Sequence, residues 1–184
     1  YYNKMMNKLE TSESEKNKWR KRVSREIDLA VKVQENFIPK RNLANYPLKG
    51  INIPAREVSG DFFSFYPHNE LIYFIIADVA GKGIHAGMVM AKASTLFEVL
   101  AQDKVDLDEM TFYMNNDLFN TKTGGMFVTG IVGKYNIISE EVSWVNAGHQ
   151  PALLKNGRKF KEFPSSTMPL AVTKHKDESV YKLE

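Results

Sequence analysis

The sequence predicts an α+β fold with a long helix ahead of it, on three observations. A stretch free of Gly and Pro opens the chain, short β-patterned runs follow, and two helix-patterned segments separate one group of runs from another. Helices set between groups of strands, without strict alternation, indicate helices packed on antiparallel sheets.

The leading helix is read over residues 12–38 and is stopped by Pro39. Val23, Ile27, Ala30, Gln34 and Phe37 recur at alternating spacings of four and three, the a/d seam of a coiled coil or helix pair. Further toward the N-terminus Arg20, Lys16 and Glu13 take the seam positions, so only the last turns have a strong reason to associate. Packing on its own domain and dimerisation through residues 12–38 both satisfy this pattern. Residues 50–55 and 61–66 then read as strands, and the apolar run 71–77 as a strand buried on both faces. Asn69 lies between the last two and suggests a hairpin turn. Ile84, Met88, Ala91, Thr95 and Val99 follow helical spacing, and 108–119 forms a second helix. Strands return at 127–135, 142–146 and 152–155, with Asn156-Gly157 as a tight turn.

Composition narrows the chemistry. With 184 residues, 43% of them hydrophobic, the chain can bury one domain core plus an extra element. Its longest apolar run falls well short of the roughly 20 residues that span a bilayer. No signal peptide is visible, and a chain that opens on Tyr1 reads as a piece of something longer. The absence of cysteine removes disulfides, thiolate metal sites and Cys nucleophiles, and it fits a cytoplasmic location. Any metal must be held by oxygen or imidazole donors, which suits Mg²⁺ or Mn²⁺. The net charge of +3 divides unevenly. Residues 1–45 carry 11 Lys/Arg against 6 Asp/Glu, and the remainder 14 against 16, so no nucleic-acid-binding core is indicated.

Two acidic residues stand out by position. Asp61 follows Ser59-Gly60 and opens a strand, while Asp78 ends the most hydrophobic strand and precedes Val79-Ala80-Gly81-Lys82-Gly83. If the two strands pair, both carboxylates meet at one end of a sheet. A buried carboxylate there is costly unless paired, hydrogen-bonded or metal-bound. The competing reading is that each Asp merely caps the turn that follows it.

The segments around these residues carry a resemblance. Residues 54–63, containing Arg56 and Ser59-Gly60-Asp61, come first, followed by Ile76-Ala77-Asp78-Val79-Ala80-Gly81-Lys82-Gly83 with its helix. Phe127-Val128-Thr129 and Asn146-Ala147-Gly148-His149-Gln150-Pro151 complete the order, and residues 33–39 precede all four. Together they resemble the bacterial SpoIIE/RsbU-type PP2C-like (PPM family) serine/threonine phosphatases over roughly residues 30–172. The resemblance implies an αββα sandwich of antiparallel sheets flanked by helices. It places a helical linker at 1–45 and a C-terminally incomplete phosphatase domain at 46–184.

It further implies two Mn²⁺ or Mg²⁺ ions that activate a water for direct attack on phosphoserine or phosphothreonine. Asp61 and Asp78 carry over as catalytic metal ligands, with the Val79 backbone carbonyl as a third donor. Arg56 and Lys82 are weaker candidates for the substrate phosphate. His149 reads as a turn residue, His85 as the start of a helix, and His68 and His175 as surface residues. The pattern departs at Ser64, where an Asp is common, and after Asp78, where no further carboxylate matches; Asp177 lies in a Lys/Glu-rich stretch. The expected consequence is weak metal binding, and this stretch alone could be inactive.

The implied substrate is a phosphorylated STAS-type anti-sigma-factor antagonist. An upstream sensor, in the same chain or in trans, would act through the linker, with this domain as the cytoplasmic output of a sensor that could itself be membrane-bound. The alternative is a catalytically inactive phosphatase-fold module that signals and dimerises through the N-terminal helix.

Overall fold

The computed structural model describes residues 2–37, 39, 46–53, 58–121, 123–174 and 181–183. Its first element, α1 (Tyr2–Gln34), is a helix of 33 residues that begins well ahead of Ser12. The extension has a local cause: residues 2–11 also lack Gly and Pro and are rich in Lys, Met, Leu and Glu, all good helix formers. A turn over 35–37 ends it, and Ile38 lies outside the described residues. The seam residues Val23, Ile27, Ala30, Gln34 and Phe37 are all half-buried, whereas Leu9, Trp19, Leu29 and Val33 are exposed. Phe37 packs against the main core, so the last turn of the helical segment is anchored on the domain.

Strands β1 (Phe62–His68) and β2 (Leu71–Val79) form the expected antiparallel hairpin, paired from Phe62↔Ala77 to His68↔Leu71. Asn69 takes the left-handed turn position at φ 52°, which Asn tolerates better than most residues. The strand expected at 50–55 is not formed. Residues 50–53 join no ladder, and their link to the hairpin is a side-chain one, from Asn52 Nδ2 to the Asp61 carbonyl at 3.0 Å. Residues 54 and 55 lie outside the described set.

Next come α2 (Ile84–Gln102) and α3 (Leu107–Asn120), then β3 (Val128–Asn136), β4 (Val142–Ala147), β5 (Ala152–Asn156), β6 (Lys159–Phe163) and β7 (Tyr181–Leu183). One five-stranded antiparallel sheet has the order β1-β2-β3-β4-β7, and β5 and β6 form a separate hairpin. Alternate residues of β2 (Tyr73, Ile75, Ala77 and Val79) enter a core with Met90 and Phe97 of α2 and Met110, Met114 and Leu118 of α3. Both helices therefore cover one face of the sheet. On the other face Ile131 and Trp144 meet Phe163 of β6, with the Trp144 and Phe163 rings 5.1 Å apart, edge to face. The hairpin begins a second layer there. The α+β expectation holds, with the helix layer and a second sheet on opposite faces of the first.

Candidate metal centre

The β1–β2 register decides how the two aspartates relate. Phe62 pairs with Ala77, so the next step outward sets Asp61 across from Asp78. Phe62 and Ala77 point into the helix-side core, so their neighbours Asp61 and Asp78 share the opposite face. Both are exposed rather than buried, because the strand ends open onto the surface. The carboxyl groups hydrogen-bond each other. Partial desolvation, that hydrogen bond and the Asp61 charge together push Asp78 from its ordinary 3.8 up to about 6. Two adjacent carboxylates with no cation between them are in the situation of a dyad sharing a proton.

The loop bearing Asp61 is fixed on every side. The Asp61 N–H donates to Ser59 Oγ at 3.0 Å, and Asn52 holds the Asp61 carbonyl. Ser59 is in turn gripped by α1: its N–H donates to Gln34 Oε1 at 3.0 Å, while Gln34 Nε2 donates to the Ser59 carbonyl at 2.5 Å. Gly60 lies flat against β2, and a Cβ there would come within 3.0 Å of the Val79 carbonyl oxygen. Only glycine lets the Asp61 loop close on that carbonyl.

Two further strands end at the same place. Thr129 opposes Asp78 in the β2–β3 ladder, with its hydroxyl 3.4 Å from the Asp78 carbonyl and 2.9 Å from His149 Nδ1. His149 leaves the end of β4 on a turn closed by buried Asn146, which accepts the His149 N–H at 2.9 Å and donates to the Gln150 carbonyl at 3.1 Å. Gly148 turns there at φ 64°, and a Cβ would strike Pro169 at 2.4 Å. The turn reading of this segment is therefore right, and the turn also delivers an imidazole to the site. Burial holds the His149 pKa down, opposed by the Asp61 charge, which faces it.

The remaining candidates separate. Arg56, Asp177 and His175 lie outside the described residues. Lys82 is exposed on the Gly81–Gly83 loop, and His85 is exposed at the start of α2. His68 sits at the far end of β1, beside Asn69. Ser64 is not at the site at all. It is buried against α2, with its hydroxyl 3.4 Å from exposed Glu98, where an Asp would face a second carboxylate.

Asp61, Asp78 and the Val79 carbonyl are the oxygen donors at this sheet end that could hold one hard divalent cation, since Mg²⁺-type ions bind through one or two carboxylates and keep several waters. Mutual repulsion of the carboxylates is what such a cation relieves. Among the described residues no group of three or more His, Asp or Glu side chains converges to hold an ion.

Comparison with known proteins agrees with this geometry. The family described as Stage II sporulation protein E (SpoIIE) matches residues 69–184, from the β1–β2 turn onward. Phosphoserine phosphatase RsbU of Bacillus subtilis is 27% identical over 133 residues, covering 70% of this chain and 39% of RsbU. The chain thus spans well under half the length of that relative. Among solved structures, the SiaA-PP2C domain of Pseudomonas aeruginosa aligns with a TM-score of 0.72 at 13% identity, over 89% of this chain and 68% of that one. RsbX, solved in complex with magnesium, aligns at 0.58 and 16% identity, over 72% and 64%. These likenesses give the fold, which is PP2C-like. With the family match running through Asp78, Thr129 and His149, the chain belongs to the SpoIIE family.

Proposed function

We propose that this domain is a metal-dependent serine/threonine phosphoprotein phosphatase. The carrying observation is the β1–β2 register, which sets Asp61 across from Asp78 at paired strand ends, with the Val79 carbonyl packed against Gly60. A Mn²⁺ or Mg²⁺ ion held there supplies an acidified water and offsets charge on the phosphoryl oxygens, so no protein nucleophile is required. Asp61 and Asp78 hold the ion in their ionised form. Ser59, Asn52 and Gln34 keep the Asp61 loop in place. Thr129 fixes the His149 ring beside Asp61, at the rim where a substrate phosphate arrives, and Lys82 and Arg56 are the cations available to that phosphate.

The partner we infer is a phosphorylated STAS-type anti-sigma-factor antagonist in a cytoplasmic partner-switching pathway, with residues 1–45 as linker and 46–184 as catalytic domain. RsbU's description as a phosphoserine phosphatase supports the reaction class. The α1 helix, about 50 Å long at 1.5 Å per residue, stays exposed over most of its length, which supports dimerisation and control by an upstream sensor.

The alternative, an inactive phosphatase-fold binding module, draws on the finding that no group of three or more acidic or imidazole side chains among the described residues is placed to hold an ion. Hydrolysis of p-nitrophenyl phosphate with Mn²⁺ separates the two. The phosphatase reading expects metal-dependent turnover that falls at least a hundredfold in Asp78→Asn. Absence of turnover with any divalent ion, together with no Mn²⁺ binding by calorimetry, favours the inactive module.

A further inference from the structure

On the helix side of the Gly81–Gly83 loop, between α2 and the segment joining α3 to β3, lies an open cavity of about 760 Å³. Val89, Leu118 and Met126 make an apolar floor, and Met88 stands at the rim, 68% exposed. The described residues lining it include no Asp or Glu. Lys92 reaches the cavity but is engaged, 2.6 Å from Asp117 and hydrogen-bonded to Thr121. Lys82, also in the wall, has no ion-pair partner among the described residues. An apolar pocket with a cationic lip complements a chain segment that carries an aliphatic side chain next to negative charge.

Its position says which segment. Gly81, in the cavity wall, is three residues from Asp78, so their Cα atoms are at most about 11 Å apart. An extended peptide covers the same span in three residues. We propose that this cavity is a specificity pocket for the phosphoprotein substrate. It seats one aliphatic side chain lying within three residues of the phosphorylated Ser or Thr, and Lys82, at the lip between pocket and phosphate, also meets an acidic group beside that phosphate. The proposal rests on the phosphatase reading and adds what that reading lacks, a means of distinguishing one phosphoprotein from another. A phosphate alone cannot do so.

The test uses the full chain and fluorescein-labelled phosphoserine heptapeptides with a glutamate beside the phosphoserine. One carries Leu two residues away, and its counterpart has Gly there. Anisotropy with Mn²⁺ present, on peptides carrying the non-hydrolysable phosphonate analogue of phosphoserine, should show the Leu peptide binding at least fivefold more tightly. Met88→Glu should bring the two within twofold, and Met88→Leu should restore the gap. Equal affinities for the unmodified protein, no binding by either peptide, or a gap that survives Met88→Glu would each overturn the pocket. Parallel p-nitrophenyl phosphate assays with Mn²⁺ keep the two ideas apart. Turnover without peptide discrimination removes only the pocket, whereas discrimination without turnover removes only the phosphatase.

Discussion

The folded protein holds a proton on the Asp78 carboxyl more tightly than the unfolded chain does, because the group is partly desolvated and shares a hydrogen bond with Asp61. Without cation, stability contributed by this pair is therefore fully present below pH 3.8, declines as pH rises toward about 6, and is flat above. Metal binding must displace that proton, so its dependence has the opposite sign. Calorimetric Mn²⁺ affinity should climb by up to about tenfold per pH unit below the shifted value and level off above it. In Asp78→Asn binding should be weak at every pH. The two aspartates were legible in the sequence because each sits where an apolar pattern starts or stops. Thr129 and His149 were legible as members of ordered motifs but not as neighbours of the aspartates. They come from strands much further along the chain, and only the β2–β3 and β3–β4 registers bring them to Asp78 and Asp61.

At the scale of elements, patterns with many repeats read correctly and weak ones did not. The apolar run of β2 and the helical spacing of α2 placed those elements to within two or three residues, although Ile84, Met88 and Val99 of the α2 stripe lie on its exposed face. Strand β6, Lys-Phe-Lys-Glu-Phe, is exposed except for Phe163, and β7 has three residues, so neither had enough apolar signal to be seen. Residues 50–53 carried the strand pattern yet use it without a ladder. Gln34 was legible only as a seam position, whereas the fold uses its amide to hold Ser59, two residues from Asp61. Gln34→Ala removes both hydrogen bonds. Its expected effect is a weaker Mn²⁺ affinity, by about five- to thirtyfold if each bond contributes about 0.5–1 kcal/mol, with little loss of melting temperature. An unchanged metal titration would show that the loop holds its shape without α1.

For the molecule as a whole, the two sides of the main sheet do different work. The helix side is the stabilising core, with Phe97, Met90, Met110 and Leu118 fully enclosed. Phe97→Ala should cost about 3–5 kcal/mol, read from urea unfolding, and the surviving folded fraction should still bind Mn²⁺. The opposite side carries the aspartates, Thr129 and the β5–β6 hairpin, and leaves Ile76 at 49% exposure beside Asp78. The sequence foretold layering, since β2 is apolar on both faces. It could not say which face the helices would take, because that depends on how 81–83 turns into α2.

The grip of Gln34 on Ser59 is made by one side chain on a helix that advances 100° per residue. Such a contact reports azimuth: a twist of α1 about its axis withdraws the amide, while a bend far upstream leaves it untouched. A dimeric zipper fused ahead of α1 should therefore drive phosphatase output periodically. Inserting seven residues into the exposed stretch 12–22 turns the helix by nearly two full revolutions and should preserve output. Inserting two turns it by about 200° and should invert it. Monotonic decay with insert length would mean that α1 pulls on the domain rather than turning against it.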